Sequence, residues 1–301
     1  MTSPVLDAVT TARHLPMRSL VSELKRVVPE YALGQVRCPE RLVVPLVQGV
    51  MLSMPAVSAD LAVHKLVNVC PGNQQRGIPT IQGLVTAYDA ETGSPLFTLD
   101  APSVTARRTA AVSLLGIEVL HGSPRHVAVI GTGTQALGHV QALSEVHPDA
   151  QITVVGRTVE RAQAFAHQTG LAVQTSASVP VDADVIITAT TSKTPVYNEV
   201  PRAGRCIVGV GAFTPDAAEI GPRTLQDSEL FVDDPAGAKH EAGDFLQANV
   251  NWASVHSLAD ALNTTHRPVK PVVFKTVGCA AWDLAACRVA RQQLEKTAAP
   301  A

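Results

Sequence analysis

Apolar residues are distributed along this chain in two regimes. In the first, ahead of residue 100, they alternate with polar ones or form short runs, so that Arg41 to Val47, Gly49 to Met54, Ala62 to Val69, Gln82 to Asp89 and Leu96 to Asp100 read as strands. The turn Glu91-Thr92-Gly93 joins the last two as a hairpin, and the sheet these strands make is expected to be mostly antiparallel. Leu20 to Val28 reads as a short helix, and Thr105 to His121 as a longer one rich in small, closely packing residues. In the second regime continuous apolar runs alternate with stretches of helical spacing. Val127 to Ile130 reads as a buried strand, Thr134 to Val146 as a helix, and Gln151 to Val155 as the next strand once His147-Pro148-Asp149 has broken the helix. A helix over Val159 to Thr169 and strands over Ala183 to Thr188, Cys206 to Val210, Leu230 to Asp233 and Val272 to Phe274 continue the series. The helix Ala280 to Glu295 has no strand after it and is expected to return to the first domain, leaving a frayed tail from Lys296 to Ala301. The predicted fold class is α/β, with a Rossmann-type doubly wound parallel sheet domain beside a mixed, mostly antiparallel one.

The entry to the parallel region, HVAVIGTGTQALGHVQAL from His126 to Leu143, carries Gly131, Gly133 and Ala136 between a strand and a helix. Glycines at this spacing let the backbone turn tightly and approach a pyrophosphate, which the free N–H groups and positive end of the helix then hold. Units that bind NAD usually place an acidic residue about twenty positions further on, for the ribose hydroxyls. Here the second strand ends in Gly156-Arg157-Thr158. No carboxylate repels a 2′-phosphate, and Arg157 and Thr158 offer charged and neutral hydrogen bonds to one. NADPH is therefore expected over NADH. The alternative is a merely solvated Arg157 with Glu160 reaching back to the ribose.

Composition narrows the remainder. A chain of 301 residues is long enough for two domains or one large α/β domain, and 46% hydrophobic with 17% charged residues describe a well-buried globular enzyme. A net charge of −2 and only 4% aromatic residues leave no basic or stacking surface for nucleic acid. Five scattered cysteines without metal-ligand spacing fit a reduced, cytoplasmic setting and no metal site. No run reaches membrane-spanning length, and the N-terminal stretch has no export signal, so a soluble, unexported protein is expected.

A dinucleotide alone transfers nothing without a substrate, and the first domain offers three cations to hold one: Arg41, Lys65 and Arg108. A guanidinium is the natural clamp for a carboxylate, and a lysine among apolar neighbours the natural group to share a proton. Each also reads as an ordinary surface cation. Lys65 is the hardest to dismiss, because it interrupts an apolar strand.

The blocks Arg41-Leu42-Val43-Val44-Pro45, His64-Lys65-Leu66-Val67-Asn68, Pro71-Gly72-Asn73, Gly77-Ile78-Pro79-Thr80, Asp89-Ala90-Glu91-Thr92-Gly93, Thr105-Ala106-Arg107-Arg108-Thr109-Ala110-Ala111 and Gly131-Thr132-Gly133 together resemble the ornithine cyclodeaminase and mu-crystallin family. The resemblance continues through Thr188-Ala189-Thr190-Thr191-Ser192, Gly209-Val210-Gly211-Ala212 and Lys275-Thr276-Val277-Gly278, and so covers nearly the whole chain. It implies a homodimer whose substrate-binding and dimerisation domain comprises residues 1–118 and 276–301, with an NADP-binding Rossmann domain over 119–275. It also implies that Arg41 and Arg108 grip a substrate carboxylate and that Lys65 sits beside the reacting, nitrogen-bearing carbon. Thr109 and the glycine turn with its helix start, Gly131, Thr132, Gly133, Thr134, Gln135 and Ala136, would touch the cofactor phosphates. Gly156, Arg157 and Thr158 would take the adenosine ribose, and Thr190, Thr191, Val210, Gly211 and Thr276 would line the rest of the dinucleotide pocket.

One departure narrows the chemistry. Cyclodeaminases of the family carry an aspartate just after Gly-Gly or Gly-Ala, whereas this chain reads Gly211-Ala212-Phe213, with Asp216 three residues on. Phe213 accepts no proton and pairs with no ammonium, but offers an apolar wall to ring methylenes. The resemblance therefore implies reduction of cyclic ketimines, 1-pyrroline-2-carboxylate or 1-piperideine-2-carboxylate, to L-proline or L-pipecolate. The alternatives are an ornithine cyclodeaminase, an alanine-type amino acid dehydrogenase, and a mu-crystallin-like protein that binds NADPH and a ligand without turnover.

Overall fold

The computed structural model describes residues 3–200, 202–264 and 268–298. The chain begins with α1 (Ala8–Arg13), α2 (Met17–Ala32), β1 (Leu42–Leu46), β2 (Gly49–Val57), β3 (Leu61–Val69), β4 (Ile81–Asp89), β5 (Pro95–Asp100) and α3 (Ala101–Leu120). It continues with β6 (His126–Ile130), α4 (Thr134–Val146), β7 (Gln151–Val155), α5 (Val159–Thr169), β8 (Gln174–Ser176), β9 (Val185–Thr188) and β10 (Cys206–Gly209). Last come α6 (Pro222–Leu225), β11 (Glu229–Val232), α7 (Pro235–Glu241), α8 (Gly243–Gln247), β12 (Val255–Ser257), α9 (Leu258–Asn263), β13 (Val272–Lys275) and α10 (Ala280–Ala298). The helix expected from Thr105 starts four residues earlier, because Asp100 accepts from the Ser103 N–H at 2.9 Å and so caps it, and because Pro102 is tolerated in a first turn. α10 runs into the tail expected to fray, whose residues 299–301 lie outside the described residues.

Contacts divide the chain into two units, one running to Arg108 and resuming at Cys279, the other spanning Thr109–Gly278. The first division falls inside α3 rather than at its end, ten residues before the boundary expected at 118, since the opening turns of that helix belong with the sheet preceding it.

The first unit is built on a five-stranded antiparallel meander, β1-β2-β3-β4-β5. Alternation along β3 sends Leu61, Val63, Lys65 and Val67 to its buried side and Leu66 to the other. α10 packs on β2, β3 and α2. A cluster of charges secures it there: Arg288 of α10 meets Glu30 of α2 at 2.6 Å, Asp60 of the β2–β3 turn at 2.6 Å and the buried Glu23 at 3.4 Å, while Arg291 reaches Asp60 at 2.5 Å.

The second unit is an eight-stranded parallel sheet in the order β12-β11-β13-β10-β9-β6-β7-β8. Its segment β8-β7-β6-β9-β10-β13 follows the 3-2-1-4-5-6 order of a dinucleotide-binding sheet, whose order reverses between β6 and β9. Strands β6, β9, β10 and β13 are buried along their whole lengths, as parallel strands covered on both faces should be.

The charge cluster generates a pH-dependent expectation. Although burial resists it, the hydrogen bonds from Arg288 and Ser58 and the charge of Arg288 hold the Asp60 carboxyl down at about 2. An acid with a depressed folded-state pKa stabilises the fold above its unfolded pKa, and that stabilisation is lost as pH falls through the folded value. Arg288→Met is expected to cost about 2 kcal/mol at neutral pH in urea unfolding, less than a fully buried pair because Asp60 is partly solvated. The deficit should shrink between about pH 4 and about pH 2. A deficit independent of pH over that range would assign the loss to packing instead.

Candidate active site

A lysine aimed into an apolar interior must find a counter-charge or give up its proton. Lys65, only 2% exposed on β3, finds Asp283, whose Oδ2 lies 2.6 Å from Nζ. Asp283 is itself wholly buried in the first turn of α10, where the positive helix end favours a carboxylate. Its other oxygen lies 3.4 Å from Nε of the buried Arg108, without hydrogen-bond alignment, so that contact is one of charge alone. Burial pushes the Lys65 ammonium down to about 8; Asp283 pulls it back up, and the positive charges of Arg108 and Arg41 press it further down. Arg41 stands half-buried immediately before β1. The first unit thus sets Lys65 and Arg108 against one carboxylate, with Arg41 close enough for its charge to act on Lys65. Such a site has positive charge to spare and suits a small anion whose neighbouring atom exchanges a proton.

The second unit holds a cleft of about 790 Å³ at the carboxyl ends of its central strands. Gly131, Thr132, Gly133, Gly156, Arg157, Thr190 and Thr191 line it, as do Arg161 and Ser178, which sequence reasoning missed. Gly131 has φ +131°, and a Cβ there would stand 2.3 Å from the Ala189 carbonyl oxygen, so only glycine fits. Gly133 is the N-cap of α4, has no side-chain cap, and faces open space. The first N–H groups of α4 are thereby presented to an incoming anion, which is what a pyrophosphate requires.

Other expected residues are placed differently. Thr134, Gln135 and Ala136 form the first turn of α4, whereas Thr158 caps α5 by accepting from the Arg161 N–H at 3.3 Å. Glu160, the alternative ribose partner, has its carboxyl held low by its own backbone N–H and by the Thr158 hydroxyl. Thr109 and Val210 are buried. Thr276 is spoken for: its hydroxyl donates to Asp233 at 2.7 Å. Gly211 backs onto Thr190, and Phe213 is 44% exposed on the loop after β10. Asp216 receives the Lys193 ammonium at 2.7 Å and the Thr214 hydroxyl at 2.7 Å.

Among the buried carboxylates that were not anticipated, two stand out. Asp283 is a lone acid within the apolar run CAAWDLAAC, and Glu219 a lone acid between Ala218 and Ile220; an isolated charge in such a run was the available signal. Among the described residues, no group of three or more His, Cys, Asp or Glu side chains is placed to hold a metal ion, and no helix is long and apolar enough to cross a membrane.

The profile of the ornithine cyclodeaminase/mu-crystallin family matches residues 1–298. The Delta(1)-pyrroline-2-carboxylate reductase 1 of Burkholderia multivorans is 55% identical over 298 residues, which cover 97% of this chain and 96% of that protein. The Delta(1)-pyrroline-2-carboxylate/Delta(1)-piperideine-2-carboxylate reductase of Azospirillum brasilense is also 55% identical, over 97% of this chain and 96% of its own. Among solved structures, the Delta(1)-pyrroline-2-carboxylate reductase of Thermococcus litoralis in complex with NADH and L-proline superposes with a TM-score of 0.88 at 24% identity, covering 98% of each chain.

Asp283→Asn would leave Lys65 and Arg108 without their counter-charge. Urea unfolding is expected to show a loss of about 3–5 kcal/mol at neutral pH, the range for a buried pair stripped of one partner. The Lys65 ammonium should also titrate below its present value of about 8, measurable through the pH dependence of its acylation. A stability change under about 1 kcal/mol would mean that the pair behaves as a solvated one.

Proposed function

The chain belongs to the ornithine cyclodeaminase/mu-crystallin family, and we propose that it reduces cyclic ketimines of the 1-pyrroline-2-carboxylate and 1-piperideine-2-carboxylate type to L-proline and L-pipecolate. The observation that carries this reading is the buried Lys65–Asp283 pair with Arg108 against it and Arg41 within range of its charge. The 55% identity to two reductases of such substrates supports it.

The reaction adds a hydride to the ring carbon of a C=N bond and a proton to its nitrogen. A bound nicotinamide dinucleotide supplies the hydride. Arg41 and Arg108 hold the carboxylate, which fixes the adjoining C=N bond with respect to Lys65. Lys65 holds or delivers the proton at the ring nitrogen, and Asp283 keeps it charged. A general acid serves best when its pKa lies near the working pH, and burial has brought that of Lys65 to about 8. Phe213 gives the ring methylenes an apolar wall.

NADPH is the preferred reductant in this reading, with NADH used less well. Gly156-Arg157-Thr158 at the end of β7 supports it, since Arg157 and Arg161 both line the cleft. Gly131 and Gly133, with the start of α4, take the pyrophosphate. Cyclodeamination is disfavoured, because Phe213 stands where the amine-binding acid belongs and Asp216 is occupied by Lys193.

The working form is a homodimer joined through the open face of the meander. A row running Leu42, Ser53, Leu66 and Leu84 crosses β1 to β4 on that face, and its three leucines are 62%, 39% and 49% exposed. The five cysteines are all free, which suits a reducing, cytoplasmic compartment.

Oxidation of NADPH in the presence of either imine tests the proposal. Turnover is expected, with Lys65→Ala and Arg108→Ala each lowering kcat/KM by about a hundredfold or more. Because protonated Lys65 is the active form, kcat/KM should fall as pH rises through about 8. Arg157→Ala should raise the KM for NADPH and leave that for NADH nearly unchanged. Tight NADPH binding with neither imine turned over would favour a binding protein.

A further inference from the structure

The loops that follow β9 and β10 are joined by the exposed Lys193–Asp216 ion pair and, inside the fold, by one buried side chain. Glu219, wholly inaccessible, accepts at Oε1 from the Thr190 N–H at 2.5 Å and the Thr190 hydroxyl at 2.8 Å. At Oε2 it accepts from the Gly211 N–H at 2.5 Å, the Ala212 N–H at 3.1 Å and the Thr188 hydroxyl at 3.1 Å. Every one of these donors lies at or just beyond the carboxyl end of β9 or β10. The fit leaves no slack, since a Cβ on Gly211 would stand 1.9 Å from the Thr190 carbonyl oxygen.

Glu219 is itself held from behind. Its own N–H and that of Ile220 donate to Asp244 Oδ1 at 2.5 and 2.7 Å, and Asp244 Oδ2 lies 2.8 Å from the ammonium of Lys275 at the end of β13. Three adjacent strand ends are thus tied to one pair of buried acids. In a sheet of this order the dinucleotide lies across the carboxyl ends of the strands. Its adenosine half sits toward β7 and β8, and its nicotinamide half toward β9, β10 and β13.

We infer that Glu219 is a positioning residue for the nicotinamide half of the dinucleotide: it sets the loops at Thr190 and Gly211 without touching the ligand. The inference rests on the dinucleotide reading given above. An amide in place of the carboxylate would point an NH2 group at N–H donors in either orientation. It would face Thr190 if turned one way, and Gly211 and Ala212 if turned the other. One loop would have to withdraw. The end of β7, with Arg157, has no bond to Glu219 and should keep its place.

Calorimetric titration with NADPH and with 2′,5′-ADP, which carries only the adenosine half, separates this role from a general structural one. Glu219→Gln is expected to weaken NADPH about tenfold or more and to leave 2′,5′-ADP within about twofold. Glu219→Asp keeps the charge but shortens the reach, and should fall between the wild type and the amide variant. If Glu219→Gln fails to fold, that intermediate value carries the test. NADPH binding unchanged in the variants, or both ligands weakened alike, would overturn the inference. A wild type that binds neither ligand would instead refute the dinucleotide reading beneath it.

Discussion

The contact between the Lys65 ammonium and the Asp283 carboxylate is the constraint on which the first unit depends. Both groups are almost wholly buried, and either one alone would be costly to bury. Their pairing requires that a strand near the start of the chain and a helix at its far end fold together, which explains why the meander is completed by α10 and not by a helix close in sequence. The largely buried cluster of Arg288 with Glu23, Glu30 and Asp60 serves the same union. Arg108 is drawn toward a carboxylate already engaged by Lys65, and its looser contact keeps it fit to hold a second anion.

The second unit applies the same physics to backbone. Loops at the carboxyl ends of parallel strands have N–H groups with no ladder partner, and buried acids can collect them. Glu219 gathers the loops after β9 and β10, while Asp233 accepts from the N–H groups of Val277 and Gly278, both at 2.9 Å, and from the Thr276 hydroxyl beyond β13. With Gly131 pressed against the Ala189 carbonyl, the cleft is framed by carboxylates and by the absence of side chains. Such a frame is preformed, which spares a ligand much of the cost of ordering it.

Much of this was legible in the sequence. The strand, glycine turn and helix from His126 to Val146 appear where their pattern placed them, because period and turn chemistry agree there. Lys65 drew notice as a charge inside an apolar strand, and its burial bears out that reading of the pattern. Its partner did not. Asp283 lies more than two hundred positions away in a helix of small residues, and nothing local states which distant strand that helix will cover. Glu219 was missed for a related reason: its role is to bond main-chain groups of other segments, and main-chain groups leave no trace in a sequence. The short elements β8, β12 and α6 to α9 escaped because three to seven residues carry too little periodicity to distinguish helix from strand or loop.

The central claim is electrostatic: burial, with the positive charges of Arg108 and Arg41 beside it, depresses the Lys65 pKa, and a substrate carboxylate offsets those charges. Calorimetry with pyrrole-2-carboxylate, a flat and non-reducible analogue of the substrate, in buffers of different ionisation enthalpy tests it directly. An arriving carboxylate should raise the Lys65 pKa from about 8, so that binding near pH 8.5 takes up a fraction of a proton. That uptake should vanish by about pH 6, where Lys65 is already charged, and should be absent from Lys65→Met. Binding with no linked proton near pH 8.5, or with the same uptake in Lys65→Met, would contradict the account.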